Sequence, residues 1–219
     1  MGGSEQLKIM LVDDHELMRH GLRQSLEKDR EFMVVAETDN GRSAIDLAAK
    51  ICPDIVIMDV SMPGLNGIEA TRRILAANDR IKVIALSIHR ERLYVMGMLN
   101  VGAVGFLLKT CTYKELSNAV RTVASGKVYL SSEVAGIVVE NALNPSRSMD
   151  IDRSENLTPR DREVLQLIAE GEKSGGIAEK LNISKRTVDV HRRNLMTKLD
   201  LHSVAEMTKF AIRHGITPL

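Results

Sequence analysis

The amino-acid sequence predicts a doubly wound α/β domain with a parallel sheet, followed by a small all-helical domain. Three observations carry this. Up to about Val139, short apolar runs alternate with amphipathic stretches, the rhythm of a parallel sheet covered on both faces. From Asn141 to Asn156 the composition shifts to NALNPSRSMDIDRSEN, polar and charged, which reads as a linker or a helix end. Beyond it no strand signal returns. The 219 residues therefore divide into a first domain over 5–130, a linker over 131–154 and a second domain over 155–219.

Five apolar runs predict the strands: Leu7 to Val12, Met33 to Ala36, Ile55 to Met58, Ile81 to Leu86 and Val104 to Leu108. Helical patterns near 15–28, 41–50, 66–77, 91–100 and 112–125 separate or follow them. In the second domain, 158–170, about 174–181, 185–199 and 203–213 read as short helices. Thr158-Pro159-Arg160-Asp161 places Thr at an N-cap, Pro at the first helical position and an acid in the first turn. Ser184, before Lys185-Arg186-Thr187, opens a later helix in the same way, and Gly171 marks a helix stop.

Composition excludes some classes. Hydrophobic residues are 44% and charged residues 27%, as in an ordinary globular chain, and no apolar run approaches the ~18 residues that span a bilayer. The net charge of +1 gives no hint of a polyanionic partner. Cys52 and Cys111 lack metal-site spacing and no signal peptide precedes Leu7, so a cytoplasmic location is expected.

In an open parallel sheet, ligands bind outside the carboxyl ends of the strands. Here strand one ends in Asp13-Asp14, strand three in Asp59, strand four in Ser87 and strand five in Lys109. A single Asp in such a place is usually a helix cap or turn residue; the ordered set is the signal. Three converging carboxylates repel one another unless a hard cation sits among them, and oxygen ligands of this kind suit Mg²⁺. Lys109 and Ser87 suit an incoming phosphoryl group.

The neutral total also conceals a segregation. Residues 150–179 hold four basic against eight acidic residues, net −4, whereas 180–198 hold six basic residues against Asp189, net +5. Clustered Lys and Arg on a helix are the footprint of nucleic-acid binding, although a generic basic helix is more often simply solvated. At 100° per residue from Val188, Arg192, Leu195 and Leu199 form the buried side, while Arg186, Asp189, Val190, Arg193 and Thr197 face away. Outward Arg, Asp, Val and Arg offer donors, an acceptor and methyl groups that can read base edges in the major groove.

The motifs VDDHELMRHGL, DVSMPGLNGIEA, ALS and GFLLK, over Leu7 to about Lys127, resemble the receiver domain of bacterial two-component response regulators, a flavodoxin-like fold. The stretch LTPRDREVLQLIAEG…IAEKLNISKRTVDVHRRNLMTKL, over about 155–217, resembles the helix-turn-helix domain of the NarL/FixJ and LuxR regulators. The resemblance implies a phosphorylation-dependent transcriptional regulator. Asp59 would accept a phosphoryl group from a sensor histidine kinase, and Asp13, Asp14, Asp59 and the Ser61 backbone carbonyl would hold Mg²⁺. Lys109 would pair with the phosphoryl oxygens, Ser87 would turn to hydrogen-bond them, and Phe106 would be the aromatic switch that follows. Lys185 to Lys198 would be the recognition helix, with Asp189, Val190 and Arg193 facing bases and Ser184, Lys185, Arg186, Thr187 and Arg192 near phosphates. The last helix would make a homodimer on promoter DNA.

Departures from the family add expectations. Ile88 follows the switch serine where small residues are common, which would restrict water at an acyl phosphate. Ser174-Gly175-Gly176 replace the family's Asn-Lys-Glu, and glycines cost ~1 kcal/mol each in a helix, so the scaffold helix should start late or fray. Two rivals remain. A Mg²⁺-dependent phosphatase using Asp59 as nucleophile would want a second acid two residues on, where Ser61 stands; a DNA-binding regulator independent of phosphorylation would not need the complete pocket. The expectation is a protein that is no enzyme beyond its own phosphorylation and dephosphorylation.

Overall fold

The computed structural model describes residues 6–143 and 157–218, which form two compact units. No helix among the described residues is long and apolar enough to cross a membrane.

The first unit runs β1 (Leu7–Val12), α1 (Glu16–Leu26), β2 (Phe32–Thr38), α2 (Gly41–Ile51), β3 (Ile55–Asp59), α3 (Gly67–Ala77), β4 (Lys82–Ser87), α4 (Arg92–Asn100), β5 (Gly105–Leu108) and α5 (Tyr113–Ala124). The strands form one parallel sheet in the order β2-β1-β3-β4-β5-β6, the sixth strand being Tyr129–Leu130. Side chains alternate across a strand, so Ile9, Leu11, Ile55, Ile57, Ile84 and Leu86 share one face and are buried with Leu116, Ala119, Val120 and Val123 of α5. Met10, Val56, Met58, Val83 and Ala85 occupy the opposite parity and are also fully buried. A sheet buried on both faces explains why its central strands read as unbroken apolar runs.

Caps set the helix starts. Asn40 and Asn66 accept from the backbone N–H groups of Ser43 and Glu69, and Thr112 with Glu115 makes a capping box at α5. Asp29, in the turn after α1, ties α5 to that turn: its Oδ2 accepts from Tyr113, Ser117 and Arg121. These hydrogen bonds, Tyr113's foremost, hold the Asp29 carboxyl below the usual range.

Two features of this unit differ from the sequence expectation. The sheet has a sixth strand, and residues 132–143, expected as linker, form helix α6 (Ser132–Leu143). Val134 on α6 is fully buried, the helix packs against α4, and Arg92 Nε donates to Asn141 Oδ1 at 2.5 Å. The physical reason is a short amphipathic pattern, Val134, Ile137 and Val138, placed against a partner that composition alone does not reveal. The rest of the expected linker, 144–154, lies outside the described residues.

The second unit is all helical: α7 (Pro159–Ala169), α8 (Ser174–Leu181), α9 (Lys185–Leu199) and α10 (Val204–Arg213). Val164, Leu165, Ile168, Ile177, Val188, Leu195, Leu199, Met207 and Phe210 make its core. Thr158 and Asp161 form the expected capping box, Pro159 opens the helix, and Gly171 leaves it at φ +87°. Helices α8 and α9 are joined by a tight turn in which Asn182 takes the left-handed conformation at φ +51°. Such a pair is a helix-turn-helix.

Helix α8 does not start late. It includes Ser174, Gly175 and Gly176, with the Ile177 N–H donating to the Lys173 carbonyl at 3.0 Å. The glycine penalty is offset by burial of Ser174 and Ile177 and by side-chain bonds from Ser174.

Candidate functional site

Parallel register brings the strand ends to one edge of the sheet: Val12 pairs Met58, Asp59 pairs Leu86 and Ser87 pairs Leu108. The residues at or just after these ends, Asp13, Asp59, Ser87 and Lys109, therefore line one pocket. Lys109 Nζ donates to Asp59 Oδ2 at 2.8 Å and stands 2.7 Å from Asp13 Oδ2. Asp59 Oδ1 accepts from the Ser61 N–H at 3.2 Å. Burial pushes the Asp59 carboxyl up to about 6, against the opposing pull of Lys109, and the neighbouring Asp13 adds to the rise. Burial works against the Lys109 ammonium, but Asp13 and Asp59 outweigh it and raise its pKa.

The backbone holds the acids in place. Gly67, the first residue of α3, donates its N–H to the Val60 carbonyl at 2.9 Å. A Cβ there would lie 1.9 Å from the Asp59 carbonyl oxygen, so only glycine allows this approach. The Asp13 carbonyl accepts from Arg19 Nη1 at 2.6 Å, and its Oδ1 accepts from the His15 N–H at 2.9 Å.

The chemistry of the donor set fits a hard divalent cation. Asp13, Asp14, His15 and Asp59 each offer a ligand atom, all within 4.8 Å of one another. Asp13 Oδ2 and Asp14 Oδ1 are buried, and each lies against one nitrogen, Lys109 Nζ at 2.7 Å and His15 Nδ1 at 2.8 Å. A carboxylate oxygen that meets a single nitrogen keeps a lone pair for a metal.

Ser87 is fully buried, and its Oγ accepts from the His89 N–H at 2.9 Å. His89 stacks on Tyr94 of α4, with ring centroids 4.6 Å apart. Phe106 is fully buried in β5, and its carbonyl accepts from the Ser131 N–H that leads into α6. Ile88 is 69% exposed and takes no part in the apolar packing around the pocket, so the expected water barrier has no packed wall here.

The second candidate site is α9. Ser184 caps it, its Oγ accepting from the Thr187 N–H at 3.0 Å. Val188, Leu195 and Leu199 are buried and Arg192 is half-buried, while Lys185, Arg186, Thr187, Val190 and Arg193 are exposed. Asp189 departs from the expected open face. At 100° from Val188 it sits on the flank of the helix, half-buried, with Oδ1 accepting from Ser174 Oγ at 2.9 Å.

Sequence reasoning missed four residues of these sites. His15 follows the two acids directly, and Gly67 follows a capping Asn; both signals are local and generic. Ser174 reads in the sequence only as a departure from the family's Asn-Lys-Glu. Asp161 was expected as an acid in the first turn, but it also meets α9, 3.2 Å from His191 Nδ1 and 2.6 Å from Lys198 Nζ.

Residues 9–121 match the family model of the response regulator receiver domain, and residues 155–211 match that of bacterial regulatory proteins of the luxR family. Over 210 residues the chain is 36% identical to the response regulator UvrY of Escherichia coli (strain K12), spanning 96% of this chain and 95% of that protein. A solved two-component response regulator of the LuxR family from Aurantimonas sp. SI85-9A1 is similar with a TM-score of 0.61 and 32% identity, over 64% of this chain and 99% of that one. The response regulator RcsB in complex with DNA is similar with a TM-score of 0.58 and 26% identity, over 94% of this chain and 98% of that one. Both halves match, in order and over nearly the whole length of the relative, so the chain belongs to the NarL/FixJ family of response regulators, DNA-binding transcriptional regulators in which a receiver domain precedes a LuxR-type helix-turn-helix domain.

Proposed function

We propose that Asp59 is the phosphoacceptor of a phosphorylation-dependent regulator that binds promoter DNA as a homodimer. The observation that carries this reading is Lys109 bridging Asp59 and Asp13 in a buried pocket at the strand ends. The phosphoryl group comes from a sensor histidine kinase: the donor's N–P bond breaks as an Asp59 oxygen forms the new O–P bond, and the donor imidazole leaves. Asp13, Asp14, Asp59 and the Ser61 carbonyl would hold Mg²⁺, which when bound offsets negative charge on the transferring group. Lys109, already fixed by two carboxylates, neutralises phosphoryl oxygens without reorganising. The Ser61 N–H holds the attacking carboxylate in orientation.

The phosphoryl group of the product carries about 1.5 to 2 negative charges, in place of the single charge of the carboxylate it consumes, and sets them farther out beside β4. Ser87 would give up its bond from the His89 N–H and turn toward that charge. His89 stacks on Tyr94, so the change reaches α4. Phe106 is fully buried in the conformation described, and its role as switch is to repack rather than to come in from solvent. The packing around α4, β5 and α5 then shifts between two populations.

In the second unit, α9 enters the major groove. Val190 and Arg193 face bases together with Asp189, and Ser184, Lys185, Arg186, Thr187 and Arg192 serve the phosphates. Helix α10 pairs two copies on adjacent half-sites. A cytoplasmic protein with no reaction beyond its own phosphorylation and dephosphorylation fits this scheme.

The test is incubation with Mg²⁺ and a small phosphodonor, followed by intact-mass measurement. The expected result is one added phosphoryl group, absent in Asp59→Ala, with tighter promoter binding by the modified protein. No adduct on the native protein would remove the switch, an adduct without change in DNA affinity would favour regulation independent of phosphorylation, and turnover of unrelated phosphomonoesters would revive the phosphatase reading.

A further inference from the structure

Ser174 lies at the start of α8 and is 8% exposed. Its hydroxyl joins two residues of the neighbouring helix α9: Arg192 Nη1 donates to Ser174 Oγ at 3.1 Å, and Ser174 Oγ donates to Asp189 Oδ1 at 2.9 Å. A serine hydroxyl has one proton. Because Arg192 supplies a donor to the oxygen, that proton is committed to Asp189, and the chain of bonds runs in one direction from guanidinium to carboxylate. A charged donor at one end and a charged acceptor at the other strengthen both bonds. The Asp189 rotamer is thereby fixed. Its Oδ1 is taken, and Oδ2 has no partner among the described residues.

We infer that Ser174 is a specificity-determining positioning residue, which clamps Asp189 so that a single carboxylate oxygen is presented to the exocyclic amino group of a cytosine or an adenine. A free carboxylate would rotate and accept from many arrangements, and its loose charge would repel phosphates. A clamped one accepts along one direction. Ser174 stands on the scaffold helix and touches the base through Asp189, so it acts without entering the groove. The inference rests on the reading that α9 lies in the major groove.

The test uses full-length protein and duplexes selected from a random-sequence pool, comparing wild type with Ser174→Ala, Ser174→Thr, Asp189→Ala and the double variant Ser174→Ala/Asp189→Ala. Asp189→Ala should abolish the preference for the amino-bearing base at one position. Ser174→Ala should weaken that same preference about tenfold, well beyond any change in its binding to non-specific duplex. Ser174→Thr, which keeps the hydroxyl, should retain it, and the double variant should be no worse than Asp189→Ala. Preference lost in Asp189→Ala but kept in Ser174→Ala would overturn the clamp while leaving groove reading intact. No change in Asp189→Ala would overturn the groove reading beneath it. An equal loss on every sequence in Ser174→Ala, unrelieved by Thr, would reduce Ser174 to a packing role and overturn the inference.

Discussion

Lys109 Nζ donates to Asp59 Oδ2 at 2.8 Å, and the two side chains, 7% and 3% exposed, come from strand ends separated by β4. Because Asp13 meets the same ammonium, one cation is shared by two buried anions. Removing it leaves both uncompensated, and breaking a buried pair costs ~3–5 kcal/mol. Lys109→Met should lower stability by that order in metal-free buffer, and adding Asp59→Asn should recover part of the loss, because Asp13 stays without its cation. Urea denaturation of the two single variants and the double variant checks this; additive losses would show that the groups are not coupled.

Gly67→Ala should damage the pocket more than its size implies. Its Cβ would sit 1.9 Å from the Asp59 carbonyl oxygen, which is backbone and cannot rotate away. A cost of ~1–3 kcal/mol is expected, together with loss of phosphoryl uptake as Asp59 is displaced. Gly21→Ala is the control. Nothing lies within 4 Å of a Cβ there, and α1 gains a better helix former. Uptake from a small phosphodonor, measured by mass, should therefore separate the two variants.

On α9, exposed side chains should divide by what they touch. Arg193→Ala is expected to cost ~1–3 kcal/mol in specific binding and relax preference at one position. Arg186→Ala, at a side chain proposed to meet phosphate, should weaken all sequences alike and reduce the salt slope by about 1. Titrations at several salt concentrations on specific and random duplexes distinguish the two. Equal behaviour of both variants would contradict the assignment.

Asp161 gives the second unit a pH dependence. Burial would raise its pKa, but hydrogen bonds from Lys198, Thr158 and His191 overcome that and lower it below the usual value. A carboxyl depressed in the folded state stabilises it fully above the unfolded pKa of ~3.9, and the contribution is lost as pH falls through the folded value. Asp161→Asn should therefore lower the melting temperature of the 157–218 unit at pH 7, and the gap to wild type should close below about pH 4. Amide exchange across this unit in full-length protein, read at both pH values, would show whether the gap behaves so.

Much of this was legible in the sequence because it is written locally. The strands of a sheet buried on both faces are continuous apolar runs, and the polar residues that end four of them, Asp13, Asp59, Ser87 and Lys109, are those the parallel register gathers at one edge. Thr158 and Ser184 announced their helices by short-range caps. What escaped depends on partners distant in sequence. Val134 and Ile137 read as linker until α4 covers them. Asp189 read as an outward acid because angular placement ignores the neighbouring helix, whose Ser174 reaches it. The two-residue strand Tyr129–Leu130 is shorter than any periodicity can register, and Gly67 is meaningful only once α3 approaches the Asp59 carbonyl.

Helix α6 bears on how the first unit can be taken out of the protein. A fragment cut at residue 130 would retain every residue of the phosphoryl pocket and lack Val134 and Asn141, which cover and tether α4. It would also lose the Ser131 N–H that occupies the Phe106 carbonyl. Such a fragment could take up phosphate normally and yet report a false resting balance for α4. The excision point that preserves the switch lies after Leu143.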